Sequence, residues 1–95
     1  MKIKVNNMTS HRTGNPVANQ FEISTPKFFI FQSYSSIIAK KERGFQGKVT
    51  LDSYYWDYSR TTLKYLKDFL GVNLSKKEIQ SYIDQGIYKT RNLNK

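Results

Sequence analysis

Cysteine is absent from this chain of 95 residues. That excludes disulfide staples and thiolate metal sites, and it suits a reducing compartment. No hydrophobic run approaches the roughly 20 residues of a membrane span, and the opening MKIKVNNMTS carries no apolar signal region. Histidine occurs once, as His11, in a polar segment with no acid or thiol spaced to work with it. The carboxylates are scattered singly, without paired-acid or metal-ligand spacing. Gly44 and Gly47 lack the strand–loop–helix setting and the Lys-Ser/Thr of a phosphate loop. These absences point away from an enzyme, a cofactor or a metal site. They predict a soluble cytoplasmic protein that works by binding, with no membrane partner.

What the chain has in excess is positive charge. Sixteen Lys plus Arg stand against seven Asp plus Glu, a net charge of +9. On a chain this short, such an imbalance favours a polyanionic partner, nucleic acid being the commonest and an acidic protein surface another. The length fits one domain over 1–95, since two cores would each be too small to fold unaided. Hydrophobic residues make up only 38% of the chain, but aromatics reach 15%. Each ring buries more area than an aliphatic side chain and so restores a core.

The order of elements reads as strands first and helices second. Residues 2–5 alternate as a short edge strand, and 6–19 (NNMTSHRTGNPVAN), polar with Gly14 and Pro16, read as a loop or flexible arm. Phe21 and Ile23 mark a half-buried strand. Residues 27–33 (KFFIFQS) are apolar on both faces, which predicts a central strand covered on both sides or one whose second face is a binding platform. Further strands follow at 36–40 and 48–52, joined by a charged loop, and a last edge strand is expected within 87–93. Arg43-Gly44-Phe45 echoes the aromatic strand motif of RNA-recognition domains. Gln46, Gly47 and Lys48 occupy the positions that would build its stacking face, so the segment reads as a hairpin tip.

Two helices are predicted, over 59–70 and 75–85. Ser59 can cap the first and Gly71 can end it. Ser75-Lys76-Lys77-Glu78 fits a capping box, with Leu74 and Ile79 as a staple. The fold class is therefore α+β, a small antiparallel sheet of four to five strands packed with two C-terminal helices. The core is expected to hold Phe21, Ile23, Ile30 or Phe31, Ile38, Val49, Leu51 and Trp56, with Leu63, Leu66, Leu70, Ile79 and Ile83 from the helices.

The candidate site lies at the start of the first helix. Arg60, Lys64 and Lys67 recur at i, i+4 and i+7 and share one face. Leu63, Leu66 and Leu70 form a core-facing stripe about 100° away. Lys76 and Lys77 add charge at the start of the second helix, where the macrodipole disfavours it. Tyr54, Tyr55, Trp56 and Tyr58 precede this face and cannot all point inward; Trp56 is assigned to the core and Tyr54 or Tyr55 to stacking. Cations beside exposed rings are what a phosphate backbone and unstacked bases use. An aromatic mini-core behind a solvated helix would show the same pattern.

The blocks FFIFQSYSSIIA and KVTLDSYYWDYSRTTLKYLKDFLG resemble a family of small uncharacterised phage and plasmid proteins of low-GC Gram-positive bacteria. That family carries F-Q-S-Y-x-S-x-I-A and then L-D-x-x-x-W-D-Y-S-x-T-T, here Phe31–Ala39 and Leu51–Thr62. The resemblance implies a mobile-element accessory protein in a bacterial host, with no catalytic residue to carry over. Such a protein binds DNA or disables a host defence. The leading expectation is nucleic-acid binding. The alternative is an anti-CRISPR or other inhibitor that grips a host nuclease or its guide RNA, a defence ribonucleoprotein. A structural protein of the virion is a third reading.

Overall fold

The computed structural model describes residues 3–10, 12–43 and 48–94. Six strands and two helices follow in the order β1 (Lys4–Thr9), β2 (Pro16–Ser24), β3 (Phe28–Ser33), β4 (Ser36–Glu42), β5 (Val49–Asp52), α1 (Arg60–Leu70), α2 (Lys76–Asp84) and β6 (Tyr88–Arg91). They form one sheet in sequential order, β1-β2-β3-β4-β5-β6. The first five strands pair antiparallel. After both helices the chain returns to lay β6 parallel to β5. The class is α+β, with six strands where four to five were expected.

The additional order lies at the N-terminus. Strand β1 runs on to Thr9 and β2 starts at Pro16, inside the segment expected to be a loop or flexible arm. Only a short turn separates them, closed by Gly14 N–H donating to Ser10 O at 2.7 Å. The polar run disguised these strands because β1 is an edge with little to bury, so no alternation is imposed on it. Pro16 is tolerated because it is the first residue of its strand. Asn19 adopts φ 66° within β2, a conformation that asparagine tolerates better than most residues.

Both helices lie on one face of the sheet. The Phe31 ring of β3 stacks on Phe69 of α1, with centroids 5.8 Å apart. Tyr82 of α2 meets Tyr88 of β6 edge-on at 5.3 Å. Phe31, Ile38, Ala39, Leu51, Leu66 and Ile79 are fully buried between the layers, with Trp56, Tyr65, Phe69 and Tyr88 closely packed around them. Phe21 and Ile23, expected in this core, are only half-buried, because their strand pairing sets them on the opposite face; of Ile30 and Phe31, the alternatives for β3, it is Phe31 that enters the core.

Both helix starts are where the capping residues put them. The Ser59 hydroxyl accepts from Thr62 N–H at 3.1 Å, and Gly71 ends α1 at φ 69°. In α2 the Ser75 hydroxyl accepts from Glu78 N–H, and the Glu78 carboxylate accepts from Ser75 N–H. The phase of α1 differs from the leucine stripe, however. Thr62, Tyr65, Leu66 and Phe69 are buried, while Leu63 and Leu70 flank the core half-exposed. Aromatic rings bury more area than leucine, so Tyr65 and Phe69 win the inward positions. Thr62 can be buried because its hydroxyl is matched by Ser59 and by Ser33 of β3.

Candidate functional site

The corner between β5 and α1 is built on Asp52. One carboxylate oxygen accepts from the backbone N–H groups of Tyr54 at 3.1 Å and Tyr55 at 2.8 Å. The other accepts from Leu93 N–H at 2.7 Å and the Asn94 side-chain amide at 3.0 Å. Asn94 in turn both donates to and accepts from the backbone of Ile37, closing β4 where β5 has ended. This anchored turn presents the tyrosines. Tyr54, Tyr55 and Tyr58 form an edge-to-face ladder with centroids 4.7 and 5.6 Å apart. Tyr54 and Tyr58 are 73% and 61% exposed, Tyr55 is half-buried between them, and Trp56 is in the core. Tyr54 is thus the ring most open to a ligand, and Tyr55 its support.

The rotated phase of α1 moves the cations outward. At about 100° per residue, a stripe centred on Thr62, Tyr65, Leu66 and Phe69 puts Arg60, Lys64 and Lys67 on the side of the helix facing away from the core. Those three side chains line one shallow cleft of about 370 Å³, together with Leu63, Asp68, Val72 and Asn73. Lys64 also lies over the Tyr65 ring, 5.5 Å from its centroid. The two remaining predicted contacts divide. Lys76 pairs with Asp57 at 3.5 Å, which ties the start of α2 to the tyrosine corner and offsets its charge at the helix N-terminus. Lys77 is exposed, with no described hydrogen bond or ion pair.

Other cations serve the scaffold. Lys41 donates to Phe69 O at 3.2 Å, satisfying a carbonyl at the C-terminal end of α1 where a positive charge is favoured. Arg43 donates to Thr25 O at 2.8 Å and to Ser24, with its guanidinium 4.3 Å from the Phe29 ring. Neither role is visible in sequence, because both partners are far along the chain. His11, the hairpin tip at 44–47 and Lys95 lie outside the described residues. Among the described residues, no three His, Asp or Glu side chains come together.

One further surface escaped the choice of site residues: the sheet face that carries no helix. The two-faced apolar pattern of β3 was its signal. Phe28 and Ile30 of β3 point to this face beside Phe21 and Ile23 of β2, all half-buried.

A family model described as Family of unknown function (DUF8033) matches residues 3–85. The chain belongs to this family. The match takes in β1 through α2, and so the tyrosine corner and the α1 cleft of this DUF8033 member, and ends before β6. No curated protein and no solved structure matches the chain significantly. No helix among the described residues is long and apolar enough to cross a membrane.

Proposed function

We propose that this protein is a non-enzymatic accessory protein of a phage or plasmid, and that it binds nucleic acid through the outward face of α1 and the tyrosine corner. The observation that carries the reading is the gathering of Arg60, Lys64 and Lys67 around one cleft with a single acid, Asp68, among them. Like charges held on one face repel, and a polyanion laid over them relieves that repulsion. Tyr54 and Tyr58 stand exposed at the adjoining corner, where a ring can stack on a base or pack on a sugar. The mobile-element setting comes from the resemblance of the two sequence blocks.

The test is a titration of a labelled strand of about 30 nucleotides, and of its duplex, at several salt concentrations. Lys64→Ala with Lys67→Ala is expected to weaken binding and flatten the salt dependence, each lost phosphate contact removing about 0.7–0.9 from the logarithmic slope. Tyr54→Ala is expected to weaken binding with an unchanged slope, because stacking releases no counterions. Absence of binding at low salt defeats this reading. The +9 surface would then be left for an acidic face of a host defence protein.

A further inference from the structure

Strand pairing sets one unbroken row of side chains across the helix-free face of the sheet: Val5, Ile23, Ile30, Lys40, Thr50 and Lys89, one from each strand in exact register from β1 to β6. The row changes character half-way. Its β1–β3 half is aliphatic, with Val5 58% exposed, and its β4–β6 half is cationic and hydroxylic. Phe21 and Phe28 flank the aliphatic half at diagonal corners, two rungs apart, about 14 Å along the strands. The Lys40 ammonium sits 4.5 Å from the centre of the Phe28 ring, so an aromatic surface and a positive charge are offered together.

An apolar strand face of this kind is ordinarily buried. Here α1 and α2 cover the other face; on this one the turn after β5 and the C-terminal segment close over Asp52 at its end, and Phe21, Ile23, Phe28 and Ile30 are left half-buried. Charge decides what suits it. Lys40 and Lys89 lie in the row and Arg91 extends from the same edge, while the acid opposite Phe28 is Glu42 and Asp52 is consumed by its four hydrogen bonds. A ligand for this face is therefore flat or apolar on one side and anionic on the other. Single-stranded nucleic acid has this form, with base planes on one edge and phosphates on the other. A duplex does not, since its base edges lie in grooves that admit a helix or a ribbon rather than a broad sheet face.

We propose that the helix-free face is a platform for single-stranded nucleic acid, with bases over Phe21, Phe28 and the aliphatic row and phosphates along Lys40 and Lys89. The proposal rests on the nucleic-acid reading above but uses the opposite side of the sheet from the α1 cleft. A strand too short to reach round the sheet engages one surface, and experiment can tell which.

Backbone amide shifts of isotope-labelled wild-type protein, followed while oligothymidine of about eight nucleotides is added, map the contact without any variant. Shifts centred on Ile23, Ile30, Lys40 and Thr50 are expected. Phe28→Ala, checked for folding by circular dichroism, is expected to weaken this strand roughly fivefold to a hundredfold at an unchanged salt slope. Lys40→Ala should lower the slope by about 0.7. Shifts confined to residues 60–73 overturn the platform and leave the α1 reading standing. Tight binding of a matched duplex with none of the short strand does the same. No shift with the short strand and no binding of the duplex overturn both.

Discussion

Asp52 shows how much a single side chain can hold. It is 1% exposed, and its two oxygens receive four hydrogen bonds from the turn that follows it and from the C-terminal segment. A hydrogen bond to a charged group is worth about 1.5–3 kcal/mol, and a buried donor left unmet costs about 1–3 kcal/mol. These figures overlap rather than add, because the freed amides of an exposed turn can find water. Asp52→Ala is expected to lose about 3 kcal/mol, read from denaturant melts, and Asp52→Asn less because it keeps one acceptor. A loss under about 1 kcal/mol would show that the turn and the C-terminus hold themselves. The L-D-x-x-x-W-D-Y-S-x-T-T block could be read from sequence, but the reason for its aspartate could not. Leu93 lies 41 residues away, and no local pattern announces that contact. Asp57 is turned to Lys76 at the start of α2, while the Ser59 hydroxyl meets the Thr62 amide.

At the scale of the element, helix ends were legible and helix phase was not. Capping is local chemistry within four residues, so Ser59, Gly71 and the Ser75–Glu78 box could be read directly. Phase is decided by what the sheet presents, and Phe31 and Ser33 drew Phe69 and Thr62 inward ahead of Leu63 and Leu70. The same shift placed the cations opposite the core. Ser75→Ala is expected to cost about 0.5–2 kcal/mol, measured as a fall in melting temperature. Glu78 supplies a pH signature. Its pKa is lowered, first by the hydrogen bond from the Ser75 backbone N–H and then by the Ser75 hydroxyl. A folded-state pKa below the unfolded one gives stability that is present above the unfolded value and lost as pH falls through the folded value. The gap in melting temperature between wild type and Glu78→Gln should therefore be open near neutrality and close as pH falls below the ordinary carboxylate range. A gap that persists in acid would mean that the carboxylate contributes through something other than its charge.

For the whole molecule the governing quantity is the net charge of +9, spread over a body of 35 × 32 × 27 Å. At about 10 mM salt the screening length is near 30 Å, so each cation feels all the others; at about 150 mM it is near 8 Å and only neighbours interact. Attraction works the other way, but Lys76 and Asp57 are 59% and 35% exposed, and such a pair is worth at most about 1 kcal/mol. Self-repulsion among the unbalanced cations is the larger effect, so the melting temperature is expected to rise as sodium chloride increases from about 10 to 150 mM. A fall over that range would mean that ion pairs outweigh repulsion, and the argument that the α1 cations await a polyanion would weaken with it. Nucleic acid should supply the same relief in a specific form. A ligand that binds only the folded state stabilises it by RT ln(1 + [L]/Kd). The upward shift produced by a fixed concentration of oligonucleotide should shrink as salt is raised, while the melting temperature of the free protein climbs. Those opposite trends separate binding of a polyanion from general screening, because screening alone moves both curves together.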